Sequence, residues 1–136
     1  MTVTYTFKDD LVRLHHDGDY TTDDTKQALL AALADPNMPQ QRTKVLLDVT
    51  QSRSLAERST EDIISVAEFF AWHADAFGGR LAILAPEGNY YGLMRMASAY
   101  AAYGNLLTKV FTDRDVAVAW LRGEDGRVLG PDSVRI

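Results

Sequence analysis

The chain contains no cysteine. That excludes a disulfide framework, a thiolate nucleophile and any cysteine-ligated metal site. Basic residues are in deficit, with 14 Lys and Arg against 19 Asp and Glu, a net charge of −5 and a pI of about 5.0. An acidic surface repels phosphate backbones, and no stripe of lysine and arginine with interleaved aromatics occurs. Neither nucleic acid nor an anionic membrane is therefore an expected partner, and the acidity reads as a solubility feature. No stretch approaches ~18 consecutive apolar residues, so no membrane span is expected. The opening MTVTYTFKDD has no basic region followed by an apolar run. It is not expected to act as a secretory signal, and a cytoplasmic location is the expectation.

Chemical motifs are equally scarce. The three histidines are His15, His16 and His73, with no H-x-x-x-H spacing. His15 and His16 are neighbours on a segment of alternating residues, so their side chains point to opposite faces and do not chelate one ion together. No metal site is expected. There is no G-x-S-x-G elbow and no lysine-bearing phosphate loop. Gly78-Gly79 precedes a strand instead of following one, which makes it a helix stop. No cofactor and no enzymatic activity are expected.

What is present is a well-punctuated α/β pattern in 136 residues, 46% of them hydrophobic and 24% charged. A chain of this length buries roughly two thirds of its unfolded surface, enough for one core. Val3 to Phe7 and Leu11 to His15 alternate as a β-hairpin that ends at Asp17-Gly18-Asp19. Thr21-Thr22-Asp23-Asp24 offers a threonine cap and first-turn acids to a helix with Leu29, Leu30 and Leu33 on one face. KVLLDV, from Lys44 to Val49, is a buried central strand, followed by a long polar loop from Thr50 to Arg58. Ser59 with Asp62 forms a capping box for a helix with Ile63, Val66, Phe70, Ala74 and Phe77 at core spacing.

Leu81 to Leu84 is the next strand. A helix from about Asn89 to Tyr103 follows and stops at Gly104-Asn105. Leu107 to Phe111 is the last strand, and Thr112 caps the final helix, with Phe111 stapled onto Val116. The order ββαβαβαβα predicts a mixed five-stranded sheet with helices on both faces and parallel later strands. Residues 1–122 form a single domain, and 123–136 a turn-rich tail.

The terminal F-x-D-x-x-x-A-x-x-W-L segment (Phe111, Asp113, Ala117, Trp120, Leu121), with KVLLDV and RLAIL, resembles the SpoIIAA-like family of small bacterial proteins. The resemblance covers about residues 3 to 122. It implies a STAS-related fold, grouped with CRAL-TRIO-type lipid-binding folds, and implies no known enzymatic activity. Anti-sigma-factor-antagonist STAS domains carry a D-[LF]-S opening and a phosphorylatable serine closely followed by glycine. Asp48-Val49-Thr50 matches only that opening, and no glycine follows Ser52, Ser54 or Ser59 at the expected place. Phosphoregulation is thus not implied.

Two surfaces are candidates for function. The Asn89 to Tyr103 helix carries one stripe suited to the sheet (Tyr90, Leu93, Met94, Ala97, Ala101) and a second of Met96, Tyr100 and Tyr103, with Tyr91 beside them. A helix apolar on two faces is either fully buried or touches something beyond its own domain. Phe69, Trp72 and Ala76 give the preceding helix a second apolar stripe next to His73, and Arg95 and His73 would serve a carboxylate head group. The alternatives are a homodimer seam, the wall of a pocket for an apolar or lipid-like molecule, or plain core. The second surface is the rim outside the carboxyl ends of the strands, where Thr50, Ser52, Arg53, Ser54, Glu87 and Asn89 would hold an anion or a regulatory protein partner. A solvated connection is the competing account of that rim.

Overall fold

The architecture follows from where the apolar side chains fall on each strand. The structure, a computed structural model, describes residues 3–8, 11–37, 44–52, 60–73, 80–86, 92, 94, 95, 98 and 107–123. Among these are strands β1 (Val3–Lys8), β2 (Leu11–Gly18), β3 (Lys44–Ser52), β4 (Arg80–Leu84) and β5 (Leu107–Phe111). The helices are α1 (Thr22–Ala34), α2 (Thr60–Trp72) and α3 (Arg114–Leu121). Gly92, Met94, Arg95 and Ser98 are helical as well.

The sheet order is β1-β2-β3-β4-β5. β1 runs antiparallel to β2, and every later pair is parallel. Because side chains alternate along a strand, each central strand has two faces to bury. Val12, Leu14, Val45, Leu47, Leu81 and Ile83 form one core with Ala28 and Leu29 of α1, Ile63, Ala67 and Phe70 of α2, and Met94. Leu11, Leu46, Ala82 and Leu84 face the other way, against Ala117, Trp120 and Leu121 of α3. A strand order that advances steadily through right-handed crossovers keeps successive connecting helices on one face. α3 has no strand to follow it and folds back onto the other.

The hairpin, the mixed sheet, the two-sided helix cover and the threonine cap of α1 agree with the sequence pattern, while the inward stripe of α1, the end of β3, and the cap and staple of α3 differ. α1 is capped by Thr21, whose side chain accepts from the Asp24 backbone N–H at 3.1 Å while Asp24 accepts from that of Thr21 at 2.9 Å. Its inward stripe is Thr25, Ala28, Leu29 and Ala32, so Leu30 turns outward and is 38% exposed. β3 extends through Ser52, because Gln51 and Ser52 pair with Asp17 and Gly18 beyond a register shift in β2. The first three residues of the expected loop are therefore sheet.

The cap of α3 is Asp113, one residue after Thr112; its carboxylate accepts from the Val116 N–H at 3.1 Å. The staple moves with it. Phe111 packs on the Trp120 ring, centroids 5.6 Å apart, and Val116 is half exposed. Gly123, at φ +76°, ends the helix in the conformation that glycine tolerates best. Arg80 lies 4.8 Å from the Trp120 ring and donates to the Trp120 carbonyl, tying β4 to α3. The Ser59 capping box, Ala74, Phe77 and residues 124–136 lie outside the described residues.

The reciprocal cap predicts a measurable effect. Thr21→Ala removes one half of the box and is expected to lower stability by about 1 kcal/mol, read as a shift in the urea midpoint at unchanged slope.

Candidate functional site

The polar groups that the fold brings together sit on both sides of one strand junction, where β2 and β3 run side by side. On the α1/α2 face, His16 is 1% exposed. Its Nδ1 lies 3.1 Å from the Asp48 carbonyl and 3.2 Å from the Leu14 carbonyl, while Nε2 lies 3.0 Å from Thr25 Oγ1. Carbonyl oxygens only accept, so the neutral ring carries its proton on Nδ1 and Nε2 accepts from the Thr25 hydroxyl. Burial pushes the His16 pKa down to about 4, although the Asp48 and Leu14 carbonyls favour the protonated ring. The Tyr20 ring stands edge-on to it at 4.8 Å, and Ser52 donates to the Tyr20 hydroxyl at 3.2 Å.

His16, Tyr20, Thr22 and Thr25 form the polar end of a cavity of about 50 Å³ beneath α2. Among the described residues its other walls are mainly apolar: Leu47 and Val49 of β3, Leu81 and Ile83 of β4, Ile63 and Phe70 of α2, and Met94. Asp62 and Thr108 complete the polar contribution, and both have interactions of their own. Ser98, one turn beyond Met94, buries a hydroxyl oxygen that has no hydrogen-bond partner among the described residues.

On the opposite face the Asp48 side chain is 2% exposed. Its Oδ2 accepts from Arg13 Nε at 3.0 Å and Nη2 at 2.5 Å, and its Oδ1 accepts from the Thr50 hydroxyl at 2.7 Å and backbone N–H at 3.0 Å. His15 Nδ1 stands 3.6 Å from Oδ2. Burial alone would raise the carboxyl pKa, but the Thr50 bonds and the Arg13 guanidinium outweigh it and hold it below the ordinary carboxylate value. Four donors fill both carboxylate oxygens, so this is a clamp between β2 and β3.

The outer side of α2 is different. Phe69 is half-buried against the core, its ring 4.7 Å from that of His73. Lys26 Nζ donates to Ser65 Oγ at 2.8 Å and stands 5.7 Å from the Phe69 ring centre. Trp72 projects beyond this ridge at 86% exposure.

The residues singled out from the sequence therefore separate. Phe69, Trp72 and His73 share one ridge, whereas Met94 is buried in the core and lines the cavity. Arg95 is exposed. Thr50 and Ser52 belong to β3, not to a loop; Thr50 holds Asp48, and Ser52 is buried under Tyr20. Arg53, Ser54, Glu87, Asn89, Tyr91, Met96, Tyr100 and Tyr103 lie outside the described residues. His15 and His16 do point to opposite faces. Among the described residues no group of three His, Asp or Glu is placed to hold a metal ion, and no helix is long and apolar enough to cross a membrane.

His16 was weighed in the sequence only as a metal ligand, and Thr25 and Arg13 were not candidates. Their only local signals are a histidine at a strand end and a threonine on the inward face of α1. Neither predicts a partner 32 or 35 residues away.

Taken together, these features define a small α/β domain with a five-stranded mixed sheet, helices on both faces and a polar junction at β2/β3. No protein-family model and no curated protein matches the chain. Among solved structures it is similar to an uncharacterised protein of the DUF3478 family with a SpoIIAA-like fold from Shewanella loihica PV-4. The two share 21% identity and a TM-score of 0.54, over 88% of this chain and 91% of that one. The fold is SpoIIAA-like, as the terminal strand–helix segment implied.

Proposed function

We propose that the chain is a non-catalytic interaction module that pairs with a second copy of itself through the outer face of α2. The carrying observation is Trp72, 86% exposed beside the Phe69–His73 pair. Tryptophan is enriched among the residues that dominate interface energetics, and an exposed indole on a rigid helix is already ordered for docking. In a two-fold arrangement each Trp72 packs on the partner's Phe69–His73 ridge, so the same patch serves both subunits. The non-catalytic part is supported by the polar junction: His16, Asp48 and Arg13 are engaged by one another and by Thr25 and Thr50.

Fluorescence tests the pairing directly, because the other tryptophan, Trp120, is buried. In a Trp120→Phe variant, emission comes from Trp72 alone. Dilution from high micromolar to nanomolar concentration is expected to red-shift that emission and raise iodide quenching as dimers separate. Emission that is already fully quenchable at high micromolar concentration and unchanged on dilution would count against the reading.

A further inference from the structure

We infer that the cavity beneath α2 is a binding site for a small uncharged amphiphile, a molecule of a few heavy atoms whose apolar body lies against Phe70, Ile83 and Met94 and whose hydroxyl donates to Thr25 Oγ1. The site is separate from the Trp72 ridge and does not depend on pairing there. The space of about 50 Å³ is a partly open recess into the apolar core, the kind of concave and mostly apolar place where small molecules bind. One water-sized position needs about 10–15 Å³, so the cavity holds roughly four such positions. That suits a molecule of a few heavy atoms such as a short-chain alcohol.

The polarity of the walls sets the chemistry. His16, Tyr20, Thr22 and Thr25 come from the junction of β2 and α1, and Asp62 from the first turn of α2. All lie toward the carboxyl ends of the parallel strands, the edge at which open α/β sheets bind ligands. Phe70 and Leu81 line the cavity toward the other edge. At the polar end the hydrogen-bond directions are fixed by His16. Its Nδ1–H is committed to backbone carbonyls, its Nε2 takes the Thr25 proton, and the Thr25 oxygen therefore still accepts. A ligand group placed there must donate. An ammonium group would lose its hydration against mostly apolar walls, so a neutral hydroxyl is the better fit.

The test compares butan-1-ol with its isomer methyl propyl ether, which has the same atoms and no donor. Methyl resonances of Ile63, Ile83 and Met94 are followed by NMR as each is added to the wild-type protein. Butan-1-ol is expected to give saturable shifts at about millimolar concentration, and the ether to bind at least about tenfold more weakly, the cost of leaving a polar partner unmet. Thr25→Ser keeps the hydroxyl and should retain the preference, while Thr25→Val should abolish it. Ala67→Leu, which fills the cavity from α2, should remove both responses and guards against a Thr25 variant that fails to fold. Shifts that never saturate with the alcohol, or equal affinity for the two isomers in the wild type, would overturn the inference.

Discussion

Acidification from pH 7 to pH 4 is expected to remove about 3 kcal/mol of stability through His16 alone. The ring is 1% exposed and held neutral, with a folded pKa of about 4 against an ordinary 6.5. Between those values the unfolded chain binds a proton that the folded chain refuses. Stability therefore rises with pH across that window, is fully present above about 6.5 and is lost as pH falls toward 4. By pH 5.5 about 1.4 kcal/mol should be gone. Asp48 acts lower: its carboxyl is held below the ordinary 3.8, so its contribution persists above that value and is lost as pH falls through the folded pKa. Urea melts at pH 7, 5.5 and 4 measure the slope, and His16→Gln should flatten it whatever its baseline stability. An His16 ring resonance that titrates near 6.5 in the folded protein would contradict this account.

Asp48→Asn is expected to cost about 2–4 kcal/mol at pH 7, below the full penalty for a broken buried pair because Arg13 is one-third exposed. The substitution is nearly isosteric, so packing changes little. An amide, however, replaces one accepting oxygen with a donating NH₂ group. Turned one way, that group meets the Arg13 guanidinium; turned the other, it meets the Thr50 hydroxyl and N–H. Either rotamer sets donor against donor next to a cation that has lost its counter-charge. The loss appears as a lower urea midpoint at unchanged slope. A change under about 1 kcal/mol would show that the clamp contributes little beyond a surface ion pair.

Most of the architecture was legible because it depends on period and punctuation. KVLLDV and RLAIL are short and mostly apolar runs, with Val45, Leu47, Leu81 and Ile83 facing one way and Leu46, Ala82 and Leu84 the other, as central parallel strands covered on both sides require. Thr21 and Asp24 announce their own cap. The errors lie where neighbouring residues compete for one role: Thr112 and Asp113 are both good caps, and the choice between them moved the staple from Val116 to Trp120. Thr50 to Ser52 are polar enough to read as loop, yet the bulge after His15 lets them continue pairing with β2. The aromatic ridge on α2 was visible as a stripe of Phe69 and Trp72 beside His73. The polar junction was not, because His16, Thr25, Asp48 and Arg13 meet through sheet pairing and helix packing that no local spacing encodes.

Sedimentation equilibrium of the wild-type chain and of Trp72→Ser tests the central claim most directly. Trp72 leaves the fold unburdened on removal, since its side chain stands outside the core. The wild type is expected at about twice 15.1 kDa at ~100 µM, and the variant at the monomer mass, with its dissociation constant raised by about 30-fold or more, as loss of a central interface tryptophan predicts. A wild-type chain that sediments at 15.1 kDa at that concentration, or a variant that dimerises as well as the wild type, would contradict the account.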